Sequence, residues 1–546
     1  MMEEIKGNIV DITVRRIYPG CIRFENGRIV SVQPIDGTFK TFLLPGFIDA
    51  HVHVESSMLT PGHFAAAAVV HGTIASVSDP HEIANVLGIE GIEFMLRDGA
   101  TVPFKFCFGA PSCVPATPHE TAGASLDVDA TRLLLADARI GYLSEMMNWP
   151  GVLGGDTFVL AKIAAAIAVG KPVDGHAPGL RGADAARYHA AGISTDHECF
   201  TLAEALDKLA VGASILIREG SAARNLEALW PLIGSHVGRV MLCSDDKHPN
   251  DLVRGHVNEL CARLVAKGAD LYDILMAACV VPARHYRLPV GLLRAGDPAD
   301  FIEVRDLETF AVPRTWIDGT LVAEGGRALF SPVAATALNR FQCESLLPHQ
   351  LQVVAQSESM RVIVVDDGQI VTRQQRLAPT ISQVHGNPLA TADPSRDLLK
   401  IVVLNRYSLA PPAVAFVQGF GLQRGAIAGS VAHDSHNIIA VGVSDAEICL
   451  AINGVIAEQG GLSVADGSQL EVLPLPIAGL MSLHDCATVA KRYEELEAAA
   501  ISIGSSLRSP FMTLSFMALL VIPSLKLSDR GLFDGEKFEF VPLFES

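Results

Sequence analysis

His51-Val52-His53 closes an apolar run that starts at Phe47. Side chains two apart on a strand share a face, so both imidazoles point to one place. Four further runs of strand character finish in groups that bind cations or move protons. Gly141 to Glu145 ends in Glu145, Pro172 to His176 in His176, and Ile193 to His197 in His197, while Arg239 to Ser244 leads into Asp245. Four histidines and two carboxylates at one mouth make a metal site, with ligands enough for two ions if a carboxylate bridges. Such a pair lowers the pKa of a bridging water and polarises a substrate together. Asp245 is then placed to accept a proton from the hydroxide and pass it on. A single His-x-His among 18 histidines is a weak signal. Each ligand falling at the same end of a different strand is a strong one.

The elements that must position these groups alternate. Strand-like Phe47 to Val54, Thr73 to Ser78 and Phe104 to Phe108 are followed by helical stretches Pro61 to His71, Ile83 to Asp98 and Asp127 to Arg139. The strand ending in Glu145 precedes a helix over Thr157 to Ala168, and that ending in His176 one over Ala183 to Ala191. The strand ending in His197 precedes Thr201 to Ala210. Ala213 to Arg218 precedes Ser221 to Ser235, and the eighth strand precedes Asp251 to Lys267. Eight strand–helix units over roughly 220 residues predict a (β/α)8 TIM-like metal-dependent hydrolase barrel, with its site at the C-terminal ends of the strands. Short alternating strands around Asn26-Gly27 and again after Gly296 predict one small flanking β domain formed by both ends of the barrel segment. A C-terminal α+β domain follows. The expected boundaries are 1–44 and 287–329 for the β domain, 45–286 for the barrel, 330–352 for a connector and 353–546 for the last domain.

Composition bounds the function. The chain has 546 residues, 49% of them hydrophobic and 19% charged, enough for several buried cores. A formal net charge of -18 argues against nucleic acid as a partner. The apolar stretch Phe511 to Leu525 is too short to span a bilayer, so no membrane partner is expected. Met1 to Asn8 has no apolar core of a secretory signal, and the 10 scattered cysteines read as reduced thiols, so a cytoplasmic location is expected. The apolar content and the extra domain suit a homo-oligomer.

Pro45-Gly46-Phe47-Ile48-Asp49-Ala50-His51-Val52-His53 resembles the first-strand motif of the amidohydrolase superfamily, and Ala295-Gly296-Asp297-Pro298-Ala299-Asp300 its returning β segment. More narrowly the chain resembles the bacterial-type adenine deaminases. Glu55-Ser56-Ser57-Met58, Asp79-Pro80-His81-Glu82, Pro111 to Ala116, Glu145-Met146-Met147-Asn148, Gly175 to Gly179, Ser244-Asp245-Asp246, Ala432 to Asn437 and Leu473 to Pro476 carry that likeness. It covers essentially the whole chain. It implies that His51, His53, His176 and His197 hold a metal pair, that Glu145 bridges it, and that Asp245 is both ligand and proton shuttle. Mn or Fe is favoured, with Zn the third choice. The implied reaction is hydrolysis of adenine to hypoxanthine and ammonia by a hydroxide on the binuclear centre, as part of purine salvage. The carboxylate of Glu145, where many superfamily members use a carbamylated lysine, counts against the dihydroorotase branch. The absence of Pro-Cys-x-x-Cys separates the chain from cytidine-deaminase-type zinc enzymes.

Glu55, His81, Glu82 and Glu120 lie in polar loops after the first three strands and are candidates to bind the purine. His433, Asp434 and His436 form a polar cluster in an apolar setting. Three readings stand for it: a lid, an accessory ion site, or a solvated strand-turn. The barrel ligands alone leave room for another aminopurine or an amide as substrate, as in a deacetylase. A non-catalytic scaffold is disfavoured because all six ligand positions are filled.

Overall fold

Alternating apolar and polar residues fold the start of the chain into an antiparallel meander. Strands β1 (Glu3–Asp11), β2 (Arg16–Glu25) and β3 (Arg28–Pro34) pair in order. Asn26 and Gly27 adopt φ of 52° and 76°, the two positive values that a type I′ turn requires. β4 (Phe42–Leu44) then runs parallel to β1. The structure, a computed structural model, describes residues 2–545.

Among the described residues, eight parallel strands follow. They are β5 (Phe47–Val52), β6 (Thr73–Ser78), β7 (Lys105–Ala110), β8 (Ile140–Met146), β9 (Val173–Gly175), β10 (Thr195–Asp196), β11 (Ser214–Arg218) and β12 (Val240–Cys243). They pair as β5-β6-β7-β8-β9 and β10-β11-β12. Ser194 N–H donates to Val173 O at 2.8 Å and joins the two sets. At the other seam, Asp245 N–H donates to His51 O at 2.9 Å, and His53 N–H donates to Asp245 O at 3.2 Å. The sheet therefore closes on itself as a barrel. β5 and β6 are buried at every position, as expected of parallel strands covered on both faces, so the polar residues they carry, such as Asp49 and Ser76, are buried as well.

The chain then returns to its beginning. β13 (Phe301–Val304) pairs antiparallel with β4, and β14 (Arg314–Ile317), β15 (Thr320–Glu324) and β16 (Arg327–Ala328) extend the sheet. Ile9, Ile22, Phe24, Leu43, Phe301 and Trp316 form its core. Phe301 stacks on Trp316 with centroids 4.7 Å apart.

Three expected helices are interrupted, each for a local reason. Ile83 to Asp98 divides into His81–Leu87 and Ile89–Gly99 around Gly88, whose φ is 64°. Ser221 to Ser235 reduces to Leu226–Leu229 and Leu232–Ser235, because Pro231 lacks the N–H that would continue the first turn. Asp251 to Lys267 divides into Pro249–Arg254 and Val257–Ala266. That last break holds His256, which is fully buried. Its Nε2 bonds Asp49 Oδ2 at 2.8 Å, and its Nδ1 lies 2.8 Å from Thr73 Oγ1. Asp49 also accepts the Ser244 N–H at 3.0 Å and the Ser244 hydroxyl. One buried carboxylate thus ties β5, the residue after β12 and the helix break together.

Contacts divide the chain into two bodies. The first comprises residues 1–80, 93–112 and 127–334. The second comprises 81–92, 113–126 and 335–546, so two segments that the sequence places within the barrel stretch group with the C-terminal residues. The second body is built on a mixed sheet in the order Arg373–Leu377, Met360–Val364, Ala413–Gln418, Leu399–Leu404, Ile438–Gly442, Ala426–Gly429, Gly461–Asp466 and Gln469–Pro474. Helix Asp445–Ala457, capped by Ser444, packs Ile448, Ile452 and Val455 against Val402, Ala428 and Ala440. The apolar run after Phe511 is a short helix, Pro510–Ser515, and a turn. No helix among the described residues is long and apolar enough to cross a membrane.

Two stability predictions follow from this packing. Replacing Asp49 by alanine leaves His256 and both Ser244 donors without their buried acceptor, and costs about 3 kcal/mol, measured from urea unfolding of the barrel body. Lys526, fully buried, donates to Ile370 O at 2.8 Å and Phe516 O at 3.0 Å, and burial pushes its amine down to about 7. Between that value and the ordinary lysine value the unfolded chain binds more protons than the folded one, so folding gains stability as pH rises across this window. In thermal melts from pH 7 to 10, Lys526→Met loses that rise relative to the parent chain.

Candidate functional site

β5 brings His51 to its C-terminal end and His53 one residue beyond. Both are buried, with their Nε2 atoms 3.2 Å apart. Asp245 Oδ1 faces the pair at 3.4 Å from His51 and 3.1 Å from His53. On the strand across the mouth, β8, Glu145 divides its oxygens. Oε1 lies 3.5 Å from His53 Nε2, and Oε2 lies 2.7 Å from His176 Nδ1 and 3.0 Å from His197 Nε2. The His51 and His197 rings stack at 4.2 Å. All six residues expected from the strand ends are therefore brought together, with one carboxylate spanning two histidine pairs.

The surroundings fix these groups. His53 Nδ1 lies 3.2 Å from Asp79 O, which favours a proton on Nδ1 and leaves the Nε2 lone pair facing the centre. Tyr188 donates to Met146 O at 2.7 Å and accepts from His176 N at 3.0 Å, linking the ends of β8 and β9. At Gly175, on the last position of β9, a Cβ would lie 2.3 Å from Thr195 O, so only glycine lets β10 come this close beside His176. Fully buried Lys208 donates to Ala177 O at 2.7 Å and Asp196 Oδ2 at 2.9 Å, fastening the neighbours of His176 and His197.

Two participants were not singled out from the sequence. Arg218, at the end of β11, bonds Asp245 Oδ2 at 2.8 Å and holds both oxygens of Glu198. Glu198 Oε1 in turn lies 3.5 Å from His197 Nε2 and 3.8 Å from His176 Nδ1. The available signal was position: Arg218 ends its strand as the ligands end theirs, and Glu198 directly follows His197.

The electrostatics follow from burial set against these partners. Burial alone would raise Asp245, yet Arg218 and the two imidazoles hold its carboxyl well below the usual range. Glu145 is likewise held low, burial being outweighed by His176 and His197. Burial opposes a charge on His176, but Glu198 and Glu145 lift it to about 9. Asp245 takes φ of 55°, a left-handed conformation that its two backbone bonds to β5 sustain.

The donor set suits divalent metal. Four imidazoles, two carboxylates and no thiolate match the ligand preferences of Mn²⁺, Fe²⁺ or Zn²⁺. Imidazole nitrogens 3.2 Å apart are spaced like adjacent donors around one ion at about 2.0–2.1 Å.

The remaining candidates are buried as well. Glu55 is buried in the single turn Val54–Ser57 that follows His53. His81 and Glu82 open the helix His81–Leu87 in the second body, where Glu82 meets His433 Nδ1 at 2.7 Å and bonds His436 Nε2. Glu120 accepts from Thr117 N at 2.9 Å and Thr117 Oγ1 at 3.0 Å, and burial together with nearby Asp434 pushes it up to about 8. His433, Asp434 and His436 are 4%, 3% and 0% exposed, which overturns the reading as a solvated turn.

Known proteins resemble this chain along its length. The model of the Amidohydrolase family matches residues 42–322, and that of the Adenine deaminase C-terminal domain matches residues 369–539. The chain is 53% identical over 543 residues to an adenine deaminase of Salinibacter ruber, covering 99% of this chain and 98% of that protein. It is 52% identical over 539 residues to one of Sulfurovum sp., with 98% and 99% covered. For the adenine deaminase of Methanosarcina barkeri the identity is 50% over 552 residues, and both chains are covered completely. The chain belongs to the amidohydrolase family, and within it to the adenine deaminases.

Proposed function

We propose that this chain hydrolyses adenine to hypoxanthine and ammonia at the C-terminal mouth of the barrel. The observation that carries the reading is the Glu145 carboxylate, one oxygen toward His53 and the other toward His176 and His197, facing an ionised Asp245. Full-length identity of about half to adenine deaminases supports the choice of substrate.

His51 and His53 would hold one divalent ion and His176 and His197 a second, with Glu145 between them and Asp245 reaching the first pair. When bound, that pair supplies Lewis acidity and a more acidic water. Mn²⁺ or Fe²⁺ is favoured over Zn²⁺. The chain's own part is proton transfer and orientation. Arg218 takes Asp245 Oδ2, so Oδ1 is the oxygen left to receive a proton from the attacking water. As the C6–O bond forms, ring nitrogen N1 takes one of the water's two protons; Oδ1 passes the other to the exocyclic nitrogen, the C6–N bond then breaks to release ammonia, and C6 keeps the oxygen as a carbonyl. Glu198 keeps Arg218 in that position. Glu55, two residues after His53, is the barrel's candidate to meet a ring nitrogen of the purine. The setting we propose is purine salvage in the cytoplasm. A homo-oligomer fits Leu133 and Phe158, which are 65% and 70% exposed.

The test is release of hypoxanthine and ammonia from adenine by Mn²⁺-loaded protein. Asp245→Asn should lower kcat by about 10³-fold while the protein still melts cooperatively. Intact, metal-loaded protein that leaves adenine unchanged would overturn the assignment. Arg218→Met should reduce kcat by roughly 10–100-fold with little change in KM, because it frees the shuttle rather than the binding groups. An equal fall in affinity and rate would instead assign Arg218 to substrate binding.

A further inference from the structure

A cavity of about 470 Å³ lies in the barrel body between the residues that follow β11, those that follow β12 and the helix Val257–Ala266. None of the six metal-centre residues lines it, and neither does Arg218 or Glu198. Side chains that follow one another at a strand end point to opposite faces. Arg218 thus turns inward to Asp245, while Glu219 turns outward to Arg263 of that helix. Both loops build the walls. Ser221 N–H donates to Asp246 O at 2.8 Å, and the Ser221 hydroxyl donates to Asp251 Oδ2 at 2.6 Å and accepts from His248 N–H at 2.9 Å. At Gly220 a Cβ would lie 2.9 Å from Asp246 O, so a side chain there would force the two loops apart.

Cations outnumber carboxylates on this lining, in a chain whose formal net charge is -18. Arg263 is engaged by Glu219 and, at 3.3 Å, by Glu227. Arg224 donates from Nε to Gly220 O at 2.9 Å and from Nη2 to Ser221 O at 3.1 Å, which fixes the guanidinium with Nη1 unbonded. Arg224 and Arg254 face Asp251 at 3.7 and 3.6 Å. Lys247 differs from all three. It is 5% exposed, and among the described residues its amine has no hydrogen-bond acceptor and no carboxylate within 4.0 Å. Glu259 and Asp251 act on it only from farther away. A buried ammonium is normally paired.

A water-filled salt-bridge network is the competing account. It explains Arg263 and leaves Lys247 without a counter-charge. A phosphate group supplies one, accepting from Lys247 Nζ, Arg224 Nη1 and the Arg254 guanidinium. The loops after the seventh and eighth strands are those that hold phosphate in many (β/α)8 barrels. The volume falls within the roughly 300–1,000 Å³ of small-molecule sites, so the ligand is an organic phosphate. Leu260 is the one large apolar side chain on the lining, and Asp251 and Glu259 offer carboxylate acceptors for hydroxyl groups. We propose that this cavity binds a sugar phosphate, with Lys247 and Arg224 on the phosphate and the two carboxylates on the sugar. The ligand is distinct from adenine, and the site stands apart from the reaction assigned to the metal centre.

The experiment titrates ribose 5-phosphate and glucose 6-phosphate into the metal-loaded full chain by calorimetry. Both should bind saturably at one site per chain, and free ribose and glucose should not. Lys247→Met keeps the chain length and removes the charge, and should raise both Kd values by about 10–100-fold, with circular dichroism confirming the fold. Arg224→Met should raise them as well, and it decides alone if Lys247→Met does not fold, because Arg224 is 52% exposed. His51→Asn/His53→Asn should bind as the parent does, which separates this cavity from capture of phosphate by barrel metal. Absence of saturable binding for both compounds overturns the site, and so do Kd values that neither the Lys247 nor the Arg224 substitution changes. Inorganic phosphate that binds as tightly as the esters refutes the sugar phosphate. A protein that leaves adenine unchanged does not alter these titrations, so the two readings fail separately.

Discussion

Two backbone hydrogen bonds, Asp245 N–H to His51 O and His53 N–H to Asp245 O, close the barrel at the point where its chemistry is placed. Parallel strands have no turn to hold their first and last members together, so this seam depends on local contacts. Here the contacts come from the site itself. The residue proposed to move the proton is also the residue whose main chain stitches β5 to the end of β12. Its left-handed conformation is thus part of ring closure as well as of side-chain aim. Asp49, two residues before His51, repeats the clamp with side-chain bonds to Ser244 and His256.

Charge balance explains why so many ionisable groups tolerate one dry mouth. Glu145, Glu198 and Asp245 are each almost fully buried, a costly arrangement without compensation. Arg218 neutralises two of them by direct bonds, and the histidine pairs flank the third. Removing the guanidinium would leave two carboxylates facing each other across the same space. The site is consequently a network in which positioning and charge neutralisation are performed by the same side chains, and single contributions do not add.

Much of this was legible in the sequence because the barrel repeats one grammar. An apolar run buried on both faces ends in a polar residue, and that residue lies at the mouth. The rule located His51, His53, Glu145, His176, His197 and Asp245. Applied to the seventh strand it also finds Arg218, which was passed over because a cation does not read as a metal ligand. Glu198 was obscured by its neighbour His197. The helix breaks were less visible, since Gly88 and Gly255 look like tolerable interior glycines until a tertiary demand, such as bringing His256 to Asp49, decides the matter. In the second body, strands such as Arg373–Leu377 have the sequence Arg-Gln-Gln-Arg-Leu and little burial, so no apolar period announces them. Nor does periodicity show that residues 81–92 leave the barrel for a body completed by the C-terminal residues, because grouping is a property of contacts and not of spacing.

The small sheet that opens and closes the barrel segment has a consequence for synthesis. Arg28 Nη1 donates to Gly296 O, 268 residues further along, and β4 pairs with β13 across a similar interval. At about 5–20 residues per second, a ribosome exposes the N-terminal meander for tens of seconds before its partners emerge. Over that interval Ile9, Ile22 and Leu43 have no completed core to enter, so the nascent chain presents an unsatisfied sheet edge to chaperones and to neighbouring chains. Slowing translation between β4 and β13 lengthens this exposure, whereas slowing it after β16 leaves the sheet already complete.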